Sequence, residues 1–326
     1  MSAVAEPPSG HRAPAAPRQD AGPFDHPALF YGDEREYLDG TVPFVREALA
    51  AGEPVAVAVP GERLTLIRDA LGADADGVRL LDMREAGRNP GRIIPGVLRA
   101  FADAHPAGRR VRIIGEPIWA GRTGTEYPAC AQHEALINAA FRGRTVTILC
   151  PYDARRLDER VLADARATHP TVIPSGSRRA QGSAAYDPDG VVARYNEPLP
   201  PVPDAPVFAF DAGSLPQARH LAVDAGAALG LTGVRLEDLA LVTAELTTNS
   251  VVHGAGSGVL RVWSEDGFVV CEVRDGGRLT DPLAGRRPAS RDQRGGRGLL
   301  LVNLVSDLVR THTGRDGTTV RCWFAL

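Results

Sequence analysis

A proline-rich stretch near the middle of the chain constrains the fold more than any other feature. Residues 197–206 read EPLPPVPDAP, and because proline fixes φ and lacks a backbone N–H, this stretch favours an extended conformation over a helix. A composition rich in Ser, Gly, Arg and Pro begins at Pro174. The chain has 326 residues, enough for two domains that each bury a core. We therefore predict a linker over residues 174–206 between domains at 24–173 and 207–326.

The composition excludes several classes of protein. Residues 1–23 are rich in Ala, Pro and polar residues, so we expect a disordered tail and no secretory signal. No stretch is apolar for long enough to cross a membrane, and the net charge of −3 comes without a basic stripe that would bind nucleic acid directly. The four cysteines lie far apart, which favours reduced thiols and a cytoplasmic protein.

The sequence contains no lysine, so all 37 residues counted as Lys+Arg are arginine. A Walker A loop needs a lysine at the phosphates, the eukaryotic type of protein kinase needs one on a strand, and pyridoxal enzymes need one for a Schiff base. These three mechanisms are excluded. A genome rich in G and C explains the bias itself, and the exclusion holds whatever the origin of the bias.

The two halves show different orders of secondary structure. In the first, short apolar runs alternate with amphipathic ones, which predicts an α/β domain with a mainly parallel sheet. Its predicted strands are 54–59, 78–82, 110–115 and 145–150, and its predicted helices are 34–51, 63–71, 91–104, 127–141 and 158–167. In the second, helices and antiparallel strands are segregated, which predicts an α+β two-layer sandwich. Its predicted helices are 216–229, 236–252 and 298–305, and its predicted strands are 259–263, 268–274, 308–313 and 318–324.

A polar stripe interrupts the second helix of the second half. Glu245, Asn249 and His253 are spaced four residues apart, so all three project from one face. A carboxylate can accept the proton of an attacking hydroxyl, and an amide oxygen suits Mg²⁺, which takes few protein ligands and bridges them to phosphates. The spacing alone is more often that of a solvated helix face.

Three glycine-containing segments follow the stripe. Asp275 and Gly277 lie in a DGG turn, where the carboxylate could bind an exocyclic amine and glycine lets a flat base approach. A loop with Gly296 and Gly298 enters an apolar helix, whose free N–H groups favour phosphates. Thr319 lies in the last strand, where a hydroxyl could bind near the base. Taken alone, the DGG segment is better explained as an ordinary turn, the glycine loop can be a linker before a core helix, and the strand with Thr319 is equally well explained as a hairpin strand.

Taken in order, these segments resemble the N, G1, G2 and G3 boxes of the GHKL superfamily of ATP-binding domains, over residues 208–326. The ELTTNSVVH form of the first box is similar to the anti-sigma-factor serine/threonine kinases. The resemblance implies a Bergerat ATP-binding fold with ATP and Mg²⁺ as its ligands. It implies that Asn249 binds Mg²⁺, that Glu245 is the general base, and that nucleotide contacts come from His253, Asp275, Gly277, Gly296, Arg297, Gly298, Leu299 and Thr319.

The chain departs from this superfamily at two positions. Leu279 stands where the G1 box usually has a second small residue, and the lid position that often carries lysine must use Arg294 or Arg297, whose guanidinium has a different geometry. A histidine kinase needs a helical hairpin with a phosphoacceptor histidine before its ATPase domain. The proline-rich stretch occupies that position and His220 reads as an ordinary helix residue, so a histidine-kinase-like signalling protein is kept only as an alternative.

The first half resembles the MEDS sensory domain. The resemblance lies in HPALFY at 26–31, in 44–53 and in TILCPYD at 147–153, and Glu116 and Trp119 also fit it. It implies a RecA-like α/β fold without a phosphate loop, and a small molecule or other signal as ligand. Atoms that could bind a metal occur on His26, Glu116, Cys130, His133 and Cys150. Scattered core cysteines and a histidine capped by a hydrogen bond explain these residues more simply than a metal site does. We expect Trp119, at a predicted strand end, to line a pocket.

Together these expectations describe a signal-responsive anti-sigma regulatory factor with ATP-dependent serine/threonine kinase activity toward an STAS-type partner, or one that binds a sigma factor. The alternative is a non-catalytic module in which ATP sets the conformation that captures a partner. Relatives of the kinase domain commonly form dimers, so a homodimer is one expected assembly.

Overall fold

The computed structural model describes residues 24–202, 204–289 and 296–326. The predicted tail over residues 1–23 and the predicted lid residue Arg294 lie outside the described residues. Within the described ranges, no helix combines the length and the apolar character that a membrane crossing needs.

The first half forms a mainly parallel sheet flanked by helices. Its strands are β1 Phe24–Asp25, β2 Pro27–Tyr31, β3 Val55–Val59, β4 Arg79–Asp82, β5 Val111–Gly115, β6 Val146–Asp153, β7 Thr171–Ile173 and β8 Gln181–Gly182. Its helices are α1 Glu34–Ala50, α2 Gly61–Leu71, α3 Met83–Ala86, α4 Ala100–Ala102, α5 Tyr127–Ala140, α6 Glu159–Thr168 and α7 Pro188–Arg194. The strand order is β4-β3-β5-β6-β2-β7-β8, with β1 paired to β6. Among the described strand pairs of this sheet, β7 and β8 are antiparallel and the others are parallel. The predicted mainly parallel sheet is confirmed.

Both faces of this sheet are covered, so its central strands read as continuous apolar runs rather than alternating ones. Every residue of β3, with the sequence VAVAV, is buried. One core contains Ile113 and Ile148 with residues of α5 and α6. The other contains Ile114 and Leu149, on the opposite face, with residues of α1 and α2.

The structure differs from the predicted elements of the first half in two ways. The predicted helix over 91–104 is divided into a 3₁₀ turn at Pro90–Arg92, a π-helix at Ile94–Arg99 and the short α4. Pro95 has no N–H to donate to the preceding turn, which accounts for the irregular start. The strands β1, β2, β7 and β8 and the short helix α3 were not predicted. Four of these elements have four residues or fewer, whereas β2 is as long as the predicted β3.

The predicted linker over residues 174–206 contains an ordered helix. The Asp187 carboxylate caps α7 by accepting a hydrogen bond at 2.9 Å from its first turn, and Pro188 occupies the first helical position. Val191 and Tyr195 are buried in a cluster with residues of α5 and α6. Tertiary burial stabilises this helix, and composition alone gave no sign of it.

The second half forms a sheet of five antiparallel strands, with helices packed on one face of the described part. Its strands are β9 Val207–Asp211, β10 Ser257–Glu265, β11 Phe268–Asp275, β12 Leu308–Gly314 and β13 Gly317–Ala325, in the order β12-β13-β11-β10-β9. Its helices are α8 Leu215–Ala228, α9 Gly233–Val252 and α10 Gly298–Val305. Alternate residues of β11, such as Val269, Cys271 and Val273, belong to the core beneath these helices. The predicted segregation of helices and antiparallel strands is confirmed.

The two halves meet along the segment that follows β11, which we call the docked segment (residues 278–289). Leu283 of this segment is buried in the core of the first half. Nδ2 of the buried Asn89 donates to the carbonyl of Asn303 on α10 at 2.8 Å. Nδ2 of Asn303 donates in turn to the carbonyl of Gly285 at 3.1 Å. The first half therefore contacts both the docked segment and α10.

Candidate functional site

The polar stripe of α9 faces the first residue of α10. A Cβ built on Gly298 would lie 2.5 Å from Oε2 of Glu245 and 3.2 Å from Nδ2 of Asn249. A side chain at this position would push the Glu245 carboxylate aside and press on the Asn249 amide, so glycine at residue 298 lets both groups lie beside the start of α10. The structure thus brings together the predicted base, the predicted Mg²⁺ ligand and the predicted phosphate loop.

Glu245 and Asn249 are both partly exposed. Among the described residues, neither side chain has a hydrogen-bond or ion-pair partner. Contact with water keeps the cost of leaving them unpaired low. A carboxylate and an amide that face the free N–H groups of a helix start can together bind a cation and a phosphate group.

Asp275, at the end of β11, is tied to the same turn of α9. Its Oδ2 accepts a hydrogen bond from the Ser250 hydroxyl at 2.7 Å, and its Oδ1 accepts one from the Gly277 N–H at 2.7 Å. A Cβ on Gly254 would lie 2.8 Å from Oδ1 of Asp275, and a Cβ on Gly277 would clash with the backbone of Gly254. Glycine at both positions is what lets the turn after β11 lie against the end of α9.

The last hairpin, β12–β13, contacts the turn after β11 through Thr318. We call the place where the end of α9, this turn and Thr318 meet the corner. Gly317 has a φ of 115°, and a Cβ there would clash with the carbonyl oxygen of Asp275. The Thr318 hydroxyl donates to the carbonyl of Gly277 at 2.9 Å. Sequence reasoning selected Thr319 instead, but successive residues of a strand point to opposite faces. The structure therefore brings Thr318, and not Thr319, to the corner.

Glu245, Asn249 and Gly298 meet in a partly exposed place between α9 and α10, which we call the opening. The other predicted contact residues lie at the end of α9 and at the start of α10. Gly296 and Arg297 are exposed directly before α10, and Gly296 has a φ of 78°. His253 is exposed at the end of α9, where its N–H donates to the Asn249 carbonyl at 2.8 Å. A Cβ on Gly285 would lie 2.6 Å from Cβ of Leu299, so Leu299 packs against the docked segment rather than facing the stripe.

The docked segment runs from the corner to the loop before α10. At its start, the Leu279 N–H donates to Oγ1 of Thr313 at 3.0 Å and to Oγ1 of Thr318 at 3.3 Å. Further along, Nη1 of Arg286 is buried without a hydrogen-bond partner in the described structure, and burial lowers the pKa of this guanidinium to about 10. With Leu283 in the core of the first half, the position of the segment depends on both halves.

The metal-compatible residues of the first half fall into separate groups. Cys130 and His133 lie on α5, and burial lowers the pKa of His133 to about 3, with the charge of Arg286 adding to the effect. Their close spacing in the sequence does not make them a pair with a common ligand. His26 and Cys150, in contrast, are in contact, with Nε2 and Sγ 3.4 Å apart.

Glu116 and Trp119 follow β5 and make different contacts. The buried Glu116 carboxyl accepts hydrogen bonds from the hydroxyls of Tyr31 at 3.4 Å and Tyr37 at 3.2 Å. Burial raises the pKa of Glu116 to about 8, although the nearby charge of Arg63 acts in the opposite direction. The Trp119 ring is partly buried against the core. Its role in lining a ligand pocket stays a prediction.

Two family models match the chain. Residues 25–170 match MEDS, the methanogen/methylotroph DcmR sensory domain, and residues 208–324 match the histidine kinase-like ATPase domain. No curated protein matches the chain. The resemblances to a MEDS domain and to a GHKL-like ATPase domain are thereby confirmed.

Proposed function

We propose that this chain, which joins a MEDS sensory domain to a histidine kinase-like ATPase domain, is a signal-responsive anti-sigma regulatory factor. Its proposed activity is ATP-dependent phosphorylation of a serine or threonine on an STAS-type partner. The observation that carries the proposal is the convergence of Glu245, Asn249 and Gly298 at one opening, with Asp275 beside it.

The residues around the opening fit Mg-ATP held in the manner of the Bergerat fold. The amide oxygen of Asn249 would bind Mg²⁺, and the free N–H groups at the start of α10, with the charge of Arg297, would face the phosphates. Asp275 keeps lone pairs beyond its two hydrogen bonds and with Thr318 would hold the amine of adenine. Gly298 leaves room for the Glu245 carboxylate and the Asn249 amide beside the start of α10. When bound, Mg-ATP supplies the phosphoryl group, with its charge already partly neutralised.

Glu245 is the residue to which we assign proton transfer. Its carboxylate is partly exposed and has no partner among the described residues, so its oxygens are free to accept a proton from a partner's hydroxyl. It lies one helical turn from Asn249, on the same face of α9. Glu245 accepts the hydroxyl proton while the hydroxyl oxygen attacks the terminal phosphoryl group, and ADP leaves.

The docked segment gives the sensory domain a route to the opening. Leu283 is buried in the core of the first half, and Asn89 holds Asn303 of α10 by a hydrogen bond. A signal that shifts the residues around Asn89 or Leu283 would move the docked segment or α10, both of which border the opening. We therefore infer that signal binding in the first half changes access to nucleotide or to the partner protein.

The direct test compares Glu245→Gln with the full-length wild type. Nucleotide affinity is measured by calorimetry with Mg-ATP, and transfer is measured as label passing from ATP to serine or threonine of STAS-type proteins from the same cells. Loss of the base should reduce transfer by about 10²- to 10⁴-fold, while ATP affinity changes little. The matched control is Glu237→Gln, an exposed glutamate of the same helix. Unchanged transfer by Glu245→Gln would remove the proposed role of this residue.

Capture of a partner without phosphotransfer is the second candidate, and Leu279 favours it. The N–H of this residue is held by the hydroxyls of Thr313 and Thr318, and its large side chain stands where relatives usually have a small residue. A pull-down of full-length protein with and without Mg-ATP separates the two candidates. A sigma factor or STAS-type protein retained only with Mg-ATP, and never phosphorylated, would favour capture over catalysis.

A further inference from the structure

Four side chains converge inside the first half, in a place that the proposed kinase reaction does not use. They are His26 before β2, Glu134 on α5, Cys150 in β6 and His169 after α6. Each of these residues is at most 1% exposed, and one candidate ligand atom from each lies within 4.8 Å of the others. We call these residues the buried cluster.

Nδ1 of His26 and Nδ1 of His169 each have a hydrogen-bond partner outside the cluster. Nδ1 of His169 lies 2.8 Å from the carbonyl of Ala165, and because a carbonyl only accepts, Nδ1 carries the proton. Nδ1 of His26 lies 3.2 Å from Oδ1 of Asn138, whose amide is oriented by donating to the Thr168 carbonyl at 2.7 Å. In the neutral imidazoles, both Nε2 atoms are therefore lone-pair donors that point into the cluster.

With both imidazoles neutral and protonated at Nδ1, the Glu134 carboxylate and the two Nε2 atoms have no proton to share among themselves. Oε2 of Glu134 lies 3.1 Å from Nε2 of His169 and 3.5 Å from Nε2 of His26. Both carboxylate oxygens of Glu134 and Nε2 of His169 are buried without an aligned hydrogen-bond partner in the described structure. A buried carboxylate without a compensating charge is costly.

Three of the six separations among the four atoms are close to the edges of a metal tetrahedron, and the others are within 4.8 Å. Bonds of about 2.0 Å to nitrogen and oxygen and about 2.3 Å to sulfur give ligand separations of roughly 3.3 to 3.7 Å. The separation between Sγ of Cys150 and Nε2 of His26 is 3.4 Å, and the two carboxylate–imidazole separations are 3.1 and 3.5 Å. A cation at the centre would satisfy all four groups with small side-chain movements.

We propose that His26, Glu134, Cys150 and His169 bind one divalent cation of borderline softness, with Zn²⁺ as the best fit to this mixture of nitrogen, oxygen and sulfur ligands. The Cys150 thiol loses its proton to solvent on binding and becomes a thiolate ligand. The hydrogen bonds from the two Nδ1 atoms orient the rings, as second-shell partners do in metal sites. Four protein ligands and full burial describe a closed site that joins α5 and α6 to the central strands.

Metal content and cobalt substitution test the proposal on the full-length protein. Protein purified without chelator should contain about one equivalent of zinc by mass spectrometry. Replacement of this zinc by cobalt(II) chloride should give the visible absorption of a tetrahedral site and a near-ultraviolet thiolate-to-cobalt band. Cys150→Ser should lose that band and most of the bound metal. The matched control is Cys130→Ser, another buried cysteine of the same half, which should keep both.

A measurement on the wild type keeps the test valid if Cys150→Ser does not fold. X-ray absorption at the zinc edge should show one sulfur at about 2.3 Å with nitrogen and oxygen at about 2.0 Å. Metal-free wild type that neither binds cobalt nor gains thermal stability with Zn²⁺ would overturn the proposal, and the cluster would then be a protonated ion-pair network. A thiolate band that survives in Cys150→Ser but disappears in Cys130→Ser would also overturn it.

Discussion

The two halves of the molecule treat their polar residues in opposite ways. In the second half, Glu245 and Asn249 are partly exposed and unpaired among the described residues. In the first half, Glu134 is fully buried and is surrounded by groups that also need a partner. Water compensates an exposed polar group, whereas a buried one needs a proton, a hydrogen bond or a cation. The partly exposed pair Glu245 and Asn249 therefore suits a ligand that binds reversibly, and the buried cluster suits a ligand that stays bound.

The largest difference is expected when the same substitution is made in each half. Glu134→Gln removes one ligand of the proposed cation and the negative charge that offsets it, so for the metal-loaded protein we expect it to lower the free energy of unfolding by about 3 to 5 kcal/mol. Glu245→Gln changes a partly exposed group and should alter it by less than about 0.5 kcal/mol. Urea unfolding of both variants at pH 7 measures the contrast. Equal effects of the two substitutions would contradict it.

The pH dependence of stability gives the next largest effect and concerns Glu116. Burial raises the pKa of Glu116 to about 8, well above the value of about 4.3 in an unfolded chain. Between these values the folded state holds a proton that the unfolded state releases, so Glu116 lowers stability as the pH rises from about 4.5 to 8, on the order of a few kcal/mol in all. Glu116→Gln should be increasingly more stable than wild type over that window. If the difference in unfolding free energy between Glu116→Gln and wild type, measured with urea, were the same at pH 5 and pH 8, the raised pKa of Glu116 would be wrong.

Gly298→Ala probes how closely the open site is built. The added Cβ would lie 2.5 Å from Oε2 of Glu245, so the Glu245 carboxylate has to move away from the start of α10, and we expect a loss of about 1 to 3 kcal/mol in the free energy of Mg-ATP binding with little change in stability. Gly124→Ala is the matched control, because a Cβ there meets nothing within 4 Å. Calorimetry should show a clear loss of affinity for the first variant and almost none for the second, and thermal unfolding should change little for both.

The smallest expected effect concerns the contact between the halves. Asn89→Ala removes the donor to the Asn303 carbonyl and should lower stability by about 1 to 2 kcal/mol. Hydrogen exchange of the docked segment and α10 should become faster, while exchange in α2 should stay as it is. Unchanged exchange in residues 278–289 would mean that Asn89 does not hold this segment.

The sequence was most informative where chemistry follows local spacing. Glu245 and Asn249 are one helical turn apart, so their common face could be predicted without a structure. Thr319 shows where prediction is limited in strands. Thr318, one residue earlier, points to the opposite face of the sheet, and only the strand register decides which of the two threonines faces the site. Spacing also drew attention to Cys130 and His133, whereas Glu134 and His169 reach His26 only through tertiary packing. The helix α7 was missed for a related reason, because its stability comes from the burial of its side chains.

Calorimetric titration of the full-length protein with Mg-ATP tests the central claim most directly. The wild type should bind one nucleotide, and Asn249→Ala should lose about 100-fold in affinity, equivalent to about 3 kcal/mol. The control is Asn138→Ala, which changes an amide in the first half beside His26. This substitution should leave nucleotide affinity unchanged. Absence of binding to the wild type, or equal affinity of wild type and Asn249→Ala, would show that the opening between α9 and α10 is not a nucleotide site.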